Sequence, residues 1–165
     1  MTRDEEDHWE QVSAQAQELA RQGRLPEAEA AARSIPDTGS PNGCLQERIV
    51  AFEELGRALF RAGHAERAPA VLAEAERMAR RLGAGVEWNE AQALFDIGTA
   101  WHEAGNKAEA TRLWDAAVDV ARGGRDTRSL LARLARSLHD MGQRERALRA
   151  ARLRPSGLSR GRHSE

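Results

Sequence analysis

The chain has 165 residues, about one domain, with 25 Lys and Arg against 26 Asp and Glu, a formal net charge of −1. This balance offers no electrostatic case for binding nucleic acid or an anionic membrane. Aromatic residues make up only 4% of the chain. Ala, Leu, Glu and Arg are abundant and β-branched residues are few, so the composition favours helix and argues against a β-sandwich or barrel.

The cysteine content and the hydropathy of the chain indicate the cellular compartment in which we expect the protein. Cys44 is the single cysteine, so no internal disulfide can form, which fits a reducing environment. The N-terminal residues are acidic and lack the apolar stretch of a secretory signal. No apolar run approaches the roughly 18 residues of a transmembrane helix. We therefore expect a cytoplasmic protein with no membrane partner.

Apolar residues recur at helical spacing along most of the chain, as Leu55, Leu59 and Ala62 do on one face. Glycines, which suit the left-handed residue that ends a helix, separate several of these stretches. The pattern predicts helices near 8–22, 26–34, 45–62, 65–82, 87–104, 107–122, 127–141 and 144–154.

Four segments of the chain match one another and indicate an internal repeat. Each starts with Gly, continues with mostly polar residues and reaches Ala five residues later, at 23–28, 63–68, 105–110 and 142–147. The glycines are 40, 42 and 37 residues apart. Because one helical hairpin cannot bury its apolar face alone, the pattern predicts an α-solenoid of four stacked helix-turn-helix hairpins.

The second and third repeats resemble tetratricopeptide repeats (TPR), whose pattern is Trp-x2-Leu-Gly-x2-Tyr, then Ala-x3-Phe and a further Ala. The matching positions are Phe52, Leu55, Gly56, Leu59, Ala68, Leu72 and Ala75 in the second repeat, and Leu94, Ile97, Gly98, Trp101, Ala110, Trp114 and Ala117 in the third. The repeats are longer than the family's unit of about 34 residues. The resemblance covers roughly residues 9–154. It implies an all-α, right-handed, TPR-like solenoid.

This interpretation divides the chain into an acidic lead at 1–7, a solenoid at 8–154 and a basic tail at 155–165. The tail has almost no apolar residues and is predicted to be disordered. The segment 35–44, rich in Pro and Gly, is predicted to be a flexible loop between the first two repeats. The repeats themselves occupy about 8–35, 45–82, 87–122 and 127–154.

Residues that could carry chemistry are scarce. His102 and Glu103 begin like the zinc-protease motif HExxH, but Asn106 stands where the second His ligand is needed. Cys44 has no obvious base beside it in the sequence. We therefore expect no enzyme, metal, cofactor or small-molecule substrate.

In TPR proteins the first helix of each repeat lines a concave groove that binds protein or peptide ligands. The resemblance implies that Phe60 and Phe95 offer apolar contacts there, flanked by charged residues; the alternative is that each Phe packs against neighbouring helices. Trp101 and Trp114 fall at core positions of the family pattern. The full predicted groove set is Glu53, Arg57, Phe60, Arg61, Phe95, Thr99, His102, Arg136 and His139.

We therefore expect a protein- or peptide-binding module. Charge is unevenly spread, since residues 1–120 carry 13 basic and 22 acidic side chains and residues 121–165 carry 12 and 4. Three alternatives stay open: a regulatory subunit whose basic end binds an acidic partner or nucleic acid, self-association, and an enzyme of unrecognised type. Nucleic acid is the less favoured partner, because the basic end lacks the interleaved aromatics typical of its recognition.

Overall fold

A computed structural model describes residues 3–37, 44–82, 87–124 and 128–152, without the side chains of residues 87–89. Every regular element in these ranges is an α-helix, which confirms the predicted all-α class. The helices are α1 (Arg3–Arg21), α2 (Leu25–Ser34), α3 (Cys44–Arg61), α4 (Ala68–Leu82), α5 (Glu87–Glu103), α6 (Lys107–Gly123), α7 (Arg128–Asp140) and α8 (Arg144–Ala151). None of these helices combines the length and the apolar character needed to cross a bilayer.

The predicted helix positions agree with the observed ones to within about three residues, except at the start of α1. α1 begins at Arg3 and not near residue 8, so the acidic lead is helical from that point. Asp4, Glu5 and Glu6 occupy the first turn, where the helix macrodipole favours negative charge. α4 begins late, at Ala68, which leaves Pro69 in the first turn, where its missing N–H costs nothing.

The four repeat glycines take the predicted turn conformation, with φ between 76° and 83°. Residues with a Cβ rarely adopt these positive φ values, whereas glycine does so readily. After α3, the Gly63 amide donates to the Phe60 carbonyl at 3.0 Å and the His64 amide to the Leu59 carbonyl at 2.9 Å. This pair of hydrogen bonds satisfies carbonyls at the helix end and reverses the chain into α4.

The structure describes part of the predicted loop and none of the predicted tail. Residues 38–43 of the loop and all of the tail at 155–165 lie outside the described residues. At the start of the loop, Ile35 is fully buried. Arg81 of α4 donates to Asp37 Oδ1 at 2.6 Å and to the Asp37 carbonyl at 3.1 Å. The chain is therefore anchored to the helices as far as Asp37.

The chain divides into an N-terminal unit, Met1–Arg125, and a C-terminal unit, Asp126–Glu165. In the N-terminal unit, α1 packs on α2 and α3, α3 on α4 and α5, and α5 on α4 and α6. Among the residues whose side chains the structure describes, Trp114 and Phe52 are the largest that are fully buried. Ion pairs join α4 to α2, through Glu74 and Arg33 at 3.3 Å, and to α6, through Glu76 and Arg112 at 2.7 Å. In the C-terminal unit, α7 packs on α8.

Two glycines inside helices allow neighbouring helices to approach closely. A methyl group at Gly56 would lie 2.7 Å from Leu72 Cγ and closer still to Cδ2, and one at Gly98 would lie 2.9 Å from Trp114 Cδ1. Leu72 is fully buried, so a methyl group at Gly56 would crowd a core side chain. These close approaches explain why the second and third repeats both carry Gly at this position.

Gly56→Val should therefore lower the free energy of unfolding by about 1–3 kcal/mol, because the added side chain overpacks the contact between α3 and α4. Urea denaturation followed by circular dichroism measures the effect. Gly123→Val is the matched control, since nothing lies within 4 Å of a methyl group placed there. Equal stability of the two variants would contradict the close approach.

Candidate functional site

Arg57 of α3 joins this helix to α5. Its Nε donates to Glu103 Oε2 at 3.0 Å, and its Nη2 donates to the backbone carbonyl of Asp96 at 3.2 Å. Its Nη1 pairs with Glu53, one turn earlier on α3. We call Glu53, Arg57, Asp96 and Glu103 the Arg57 cluster. It holds the surfaces of two adjacent helices in a defined register.

Glu53 is a buried acidic residue of the cluster, with 7% of its surface exposed. This burial raises the pKa of the Glu53 carboxyl to about 7. The Arg57 guanidinium lowers the pKa but does not offset the burial, while the negative charges of Asp96 and Glu54 raise it further. The charge of Glu53 therefore changes near neutral pH.

A small open cavity of about 70 Å³ lies beside Glu53, between α3 and α5. Ile49 and Glu53 are buried at its base, whereas Val50 is 36% exposed at its rim. Gln92 Nε2 donates to Asp96 Oδ1 at 2.8 Å along its α5 side. We call this the α3–α5 cavity; it is lined by Gln46, Ile49, Val50, Glu53, Gln92, Ala93 and Asp96.

The size and lining of the α3–α5 cavity limit what it can hold. Sites for drug-sized ligands measure about 300–1,000 Å³, far more than this cavity offers. Its volume suits the end of one side chain from a binding partner. The lining combines apolar surface from Ile49, Val50 and Ala93 with the carboxylates of Glu53 and Asp96. It can therefore contact both an apolar stem and a polar head.

Three predicted groove residues surround Trp114 instead of lying with the Arg57 cluster. Trp114 Nε1 donates to Thr99 Oγ1 at 3.4 Å, and the ring centroids of Phe95 and His102 lie 6.2 Å and 5.2 Å from that of Trp114. Phe95 is only 5% exposed. This burial favours the packing alternative for Phe95 over the exposed groove contact that we expected.

Phe60 differs from Phe95, although the resemblance implied an exposed groove contact for both. Phe60 is partly exposed, and its ring meets that of Trp101 edge-on at 5.4 Å. Arg61, next in sequence, is exposed and donates to Glu54 at 2.9 Å. Phe60 therefore keeps surface that a partner could contact.

The remaining predicted groove residues, Arg136 and His139, belong to α7 of the C-terminal unit. Both side chains are exposed. They lie three residues apart on the helix, so they share one of its faces. Within this unit the buried side chains of α7 are Leu130, Leu131, Leu134, Ala135 and Leu138.

Sequence reasoning did not place Asp96 in the site. The structure does so because Asp96 contacts Arg57 through its backbone and Gln92 through its side chain. The spacing of four residues between Gln92 and Asp96, like that between Glu53 and Arg57, puts each pair on one helical face. This spacing indicates from the sequence which residues share a helical face, but it does not show that the faces of α3 and α5 meet.

Among the described residues, no three His, Cys, Asp or Glu side chains are grouped so that they could hold a metal ion. Comparison of the chain with protein-family models, with curated proteins and with solved structures found no match in any of the three.

Proposed function

We propose that this chain is a protein- or peptide-binding module, built as a right-handed TPR-like solenoid, that acts in the cytoplasm and catalyses no reaction. The bound segment lies along the surface where α3 and α5 meet. The observation that carries this proposal is the α3–α5 cavity, with Val50 exposed at its rim beside buried charge.

The packing order of the helices supports the repeat architecture. α3 contacts helices before and after its own hairpin, as stacked repeats require. Gly56 and Gly98 occupy the same position in successive repeats, and each faces a large side chain of the following helix. This repetition is expected when one hairpin geometry is used twice.

The composition of the proposed surface supports binding of a polypeptide. Protein interfaces have apolar centres and polar rims. Here Val50 and Ala93 supply apolar surface, while Gln46, Gln92 and Asp96 supply polar groups around it. The ion pairs of Arg57 hold this surface in place before a partner arrives, and preorganisation reduces the entropy lost on binding.

Selection of random peptides displayed on phage against the immobilised full chain tests the function. Peptides that are enriched should bind in fluorescence polarisation assays, and Val50→Arg should weaken them by about 1–3 kcal/mol, as loss of an interface hot spot does. Circular dichroism checks that each variant is folded.

Leu148→Arg is the matched control, because Leu148 is another exposed large apolar side chain, 57% exposed, and belongs to the C-terminal unit. We expect it to leave the affinity unchanged. Selection that yields no binding peptide, or binding that is lost with Leu148→Arg and retained with Val50→Arg, would contradict the proposed site.

One observation favours a second candidate function. Residues 128–152 carry seven Arg against two acidic residues. An acidic protein or nucleic acid bound there would dissociate steeply as salt is raised. Arg136→Glu would then slow association, most strongly at low salt.

A further inference from the structure

We propose that the α3–α5 cavity recognises a basic side chain, so that the peptide bound by this module presents an arginine or lysine beside Val50. This inference rests on the proposed peptide-binding function and specifies the chemistry of the partner.

The charge around the cavity is complementary to a cation. Within the Arg57 cluster, the three carboxylates of Glu53, Asp96 and Glu103 are accompanied by the single guanidinium of Arg57. Glu53 and Asp96 line the cavity itself. Each carboxylate oxygen can accept more than one hydrogen bond, so an entering cation can bind Glu53 and Asp96 beside their present partners and offset part of this negative charge.

The shape of the cavity suits the particular form of basic side chains. Lysine and arginine carry a charged head on an apolar stem. Ile49, Val50 and Ala93 can contact the stem, while Glu53 and Asp96 meet the head. The cavity, with a volume of about 70 Å³, is roomier than the ~10–15 Å³ that a single water molecule needs. It admits the end of a side chain and leaves the peptide backbone on the surface.

Burial makes the interaction selective. Glu53 is 7% exposed, so water solvates its charge poorly. Arg57 already donates to Glu53. A second hydrogen-bonded cation adds to this compensation, whereas an apolar side chain of similar length does not. The cavity should therefore discriminate between arginine and a neutral residue of the same reach.

Ionisation of Glu53 should make the affinity of the cavity for a cation depend on pH. The charged groups that act on it are Arg57 and Glu54 of α3 and Asp96 of α5. Because burial raises the pKa of Glu53 to about 7, the carboxyl is mostly neutral at pH 6 and mostly ionised at pH 8. A cation should bind more tightly at the higher pH.

The test uses Nα-acetylarginine methylamide as the probe, titrated into the ¹⁵N-labelled full chain and followed by amide chemical shifts. We expect saturable shifts at the cavity residues of α3 and α5, with affinity at pH 8 several-fold higher than at pH 6. Nα-acetylnorleucine methylamide, an uncharged analogue, should bind at least tenfold more weakly.

Two conservative variants locate the interaction. Glu53→Gln and Asp96→Asn should each weaken the arginine probe several-fold, and Glu53→Gln should abolish the pH dependence. Glu66→Gln is the control, since Glu66 is an exposed carboxylate outside the cavity. Equal binding of the two probes, or unchanged arginine binding in both cavity variants, would overturn the inference.

The outcomes separate this inference from the proposed function. If the selected peptides require Val50 but the arginine probe does not bind, the preference for a basic side chain is overturned and the peptide site is retained. If the arginine probe binds the cavity but selection yields no peptide, the peptide-binding function is overturned instead.

Discussion

Trp114→Ala should lower the free energy of unfolding by about 3–5 kcal/mol, the range observed when large buried aromatic side chains are truncated. Trp114 is 1% exposed. Its ring lies near those of Phe95 and His102, and its Nε1 donates to Thr99. Truncation would leave a cavity between α5 and α6, and Phe95, His102 and Thr99 would lose their contacts with the Trp114 ring. Chemical denaturation, followed by far-ultraviolet circular dichroism, measures the loss.

Trp9→Ala is the matched control, because Trp9 lies near the start of α1 and is only partly buried. Trp9→Ala should cost much less stability, since partial burial means that less apolar surface returns to water; the ring of Trp9 lies near that of His8, at 4.6 Å between centroids. A Trp114→Ala variant as stable as wild type would show that Trp114 is not a central core residue of the third repeat.

Glu53→Gln should change how stability depends on pH. Folding raises the pKa of Glu53 from 4.5 to about 7. The unfolded chain therefore releases this proton at lower pH than the folded chain does. The stabilising contribution of the protonated carboxyl is fully present below pH 4.5 and is lost as the pH rises to 7.

Glutamine keeps the neutral state at every pH, so the variant avoids this loss. Relative to wild type, the variant should gain about 3 kcal/mol between pH 4.5 and pH 8, because a tenfold difference in proton affinity is worth about 1.4 kcal/mol. Urea denaturation at a series of pH values measures the difference. Glu66→Gln serves again as the exposed control. Parallel stability curves for wild type and Glu53→Gln would contradict the raised pKa.

The positions of the helices could be predicted from local patterns. Glycine is required where φ is positive, as at Gly63 and Gly105. Trp101 and Trp114 were expected in the core from their places in the repeat, and both are buried, at 8% and 1% exposure. The start of α1 was missed because its first turn, Asp4 to Glu6, carries a charge signal and no apolar periodicity.

The candidate site could be predicted only in part. Glu53 and Arg57 were expected on one surface, and they do lie together. Phe60 and Phe95 were both expected to face the groove, yet one is partly exposed and the other is buried against Trp114. They also lie at different places in the repeat, since Phe60 follows Gly56 by four residues and Phe95 precedes Gly98 by three.

Interactions between residues close in the chain thus account for the all-α class, the turns and most helix limits, because helix formation and glycine turns depend on near neighbours. The Arg57 cluster and the α3–α5 cavity depend on the approach of two helices whose contacting residues are about 40 positions apart. The burial of Glu53, its raised pKa and the contact of Arg57 with Asp96 arise only from that approach. Desolvation is a property of the assembled surface, and no local pattern of residues specifies it.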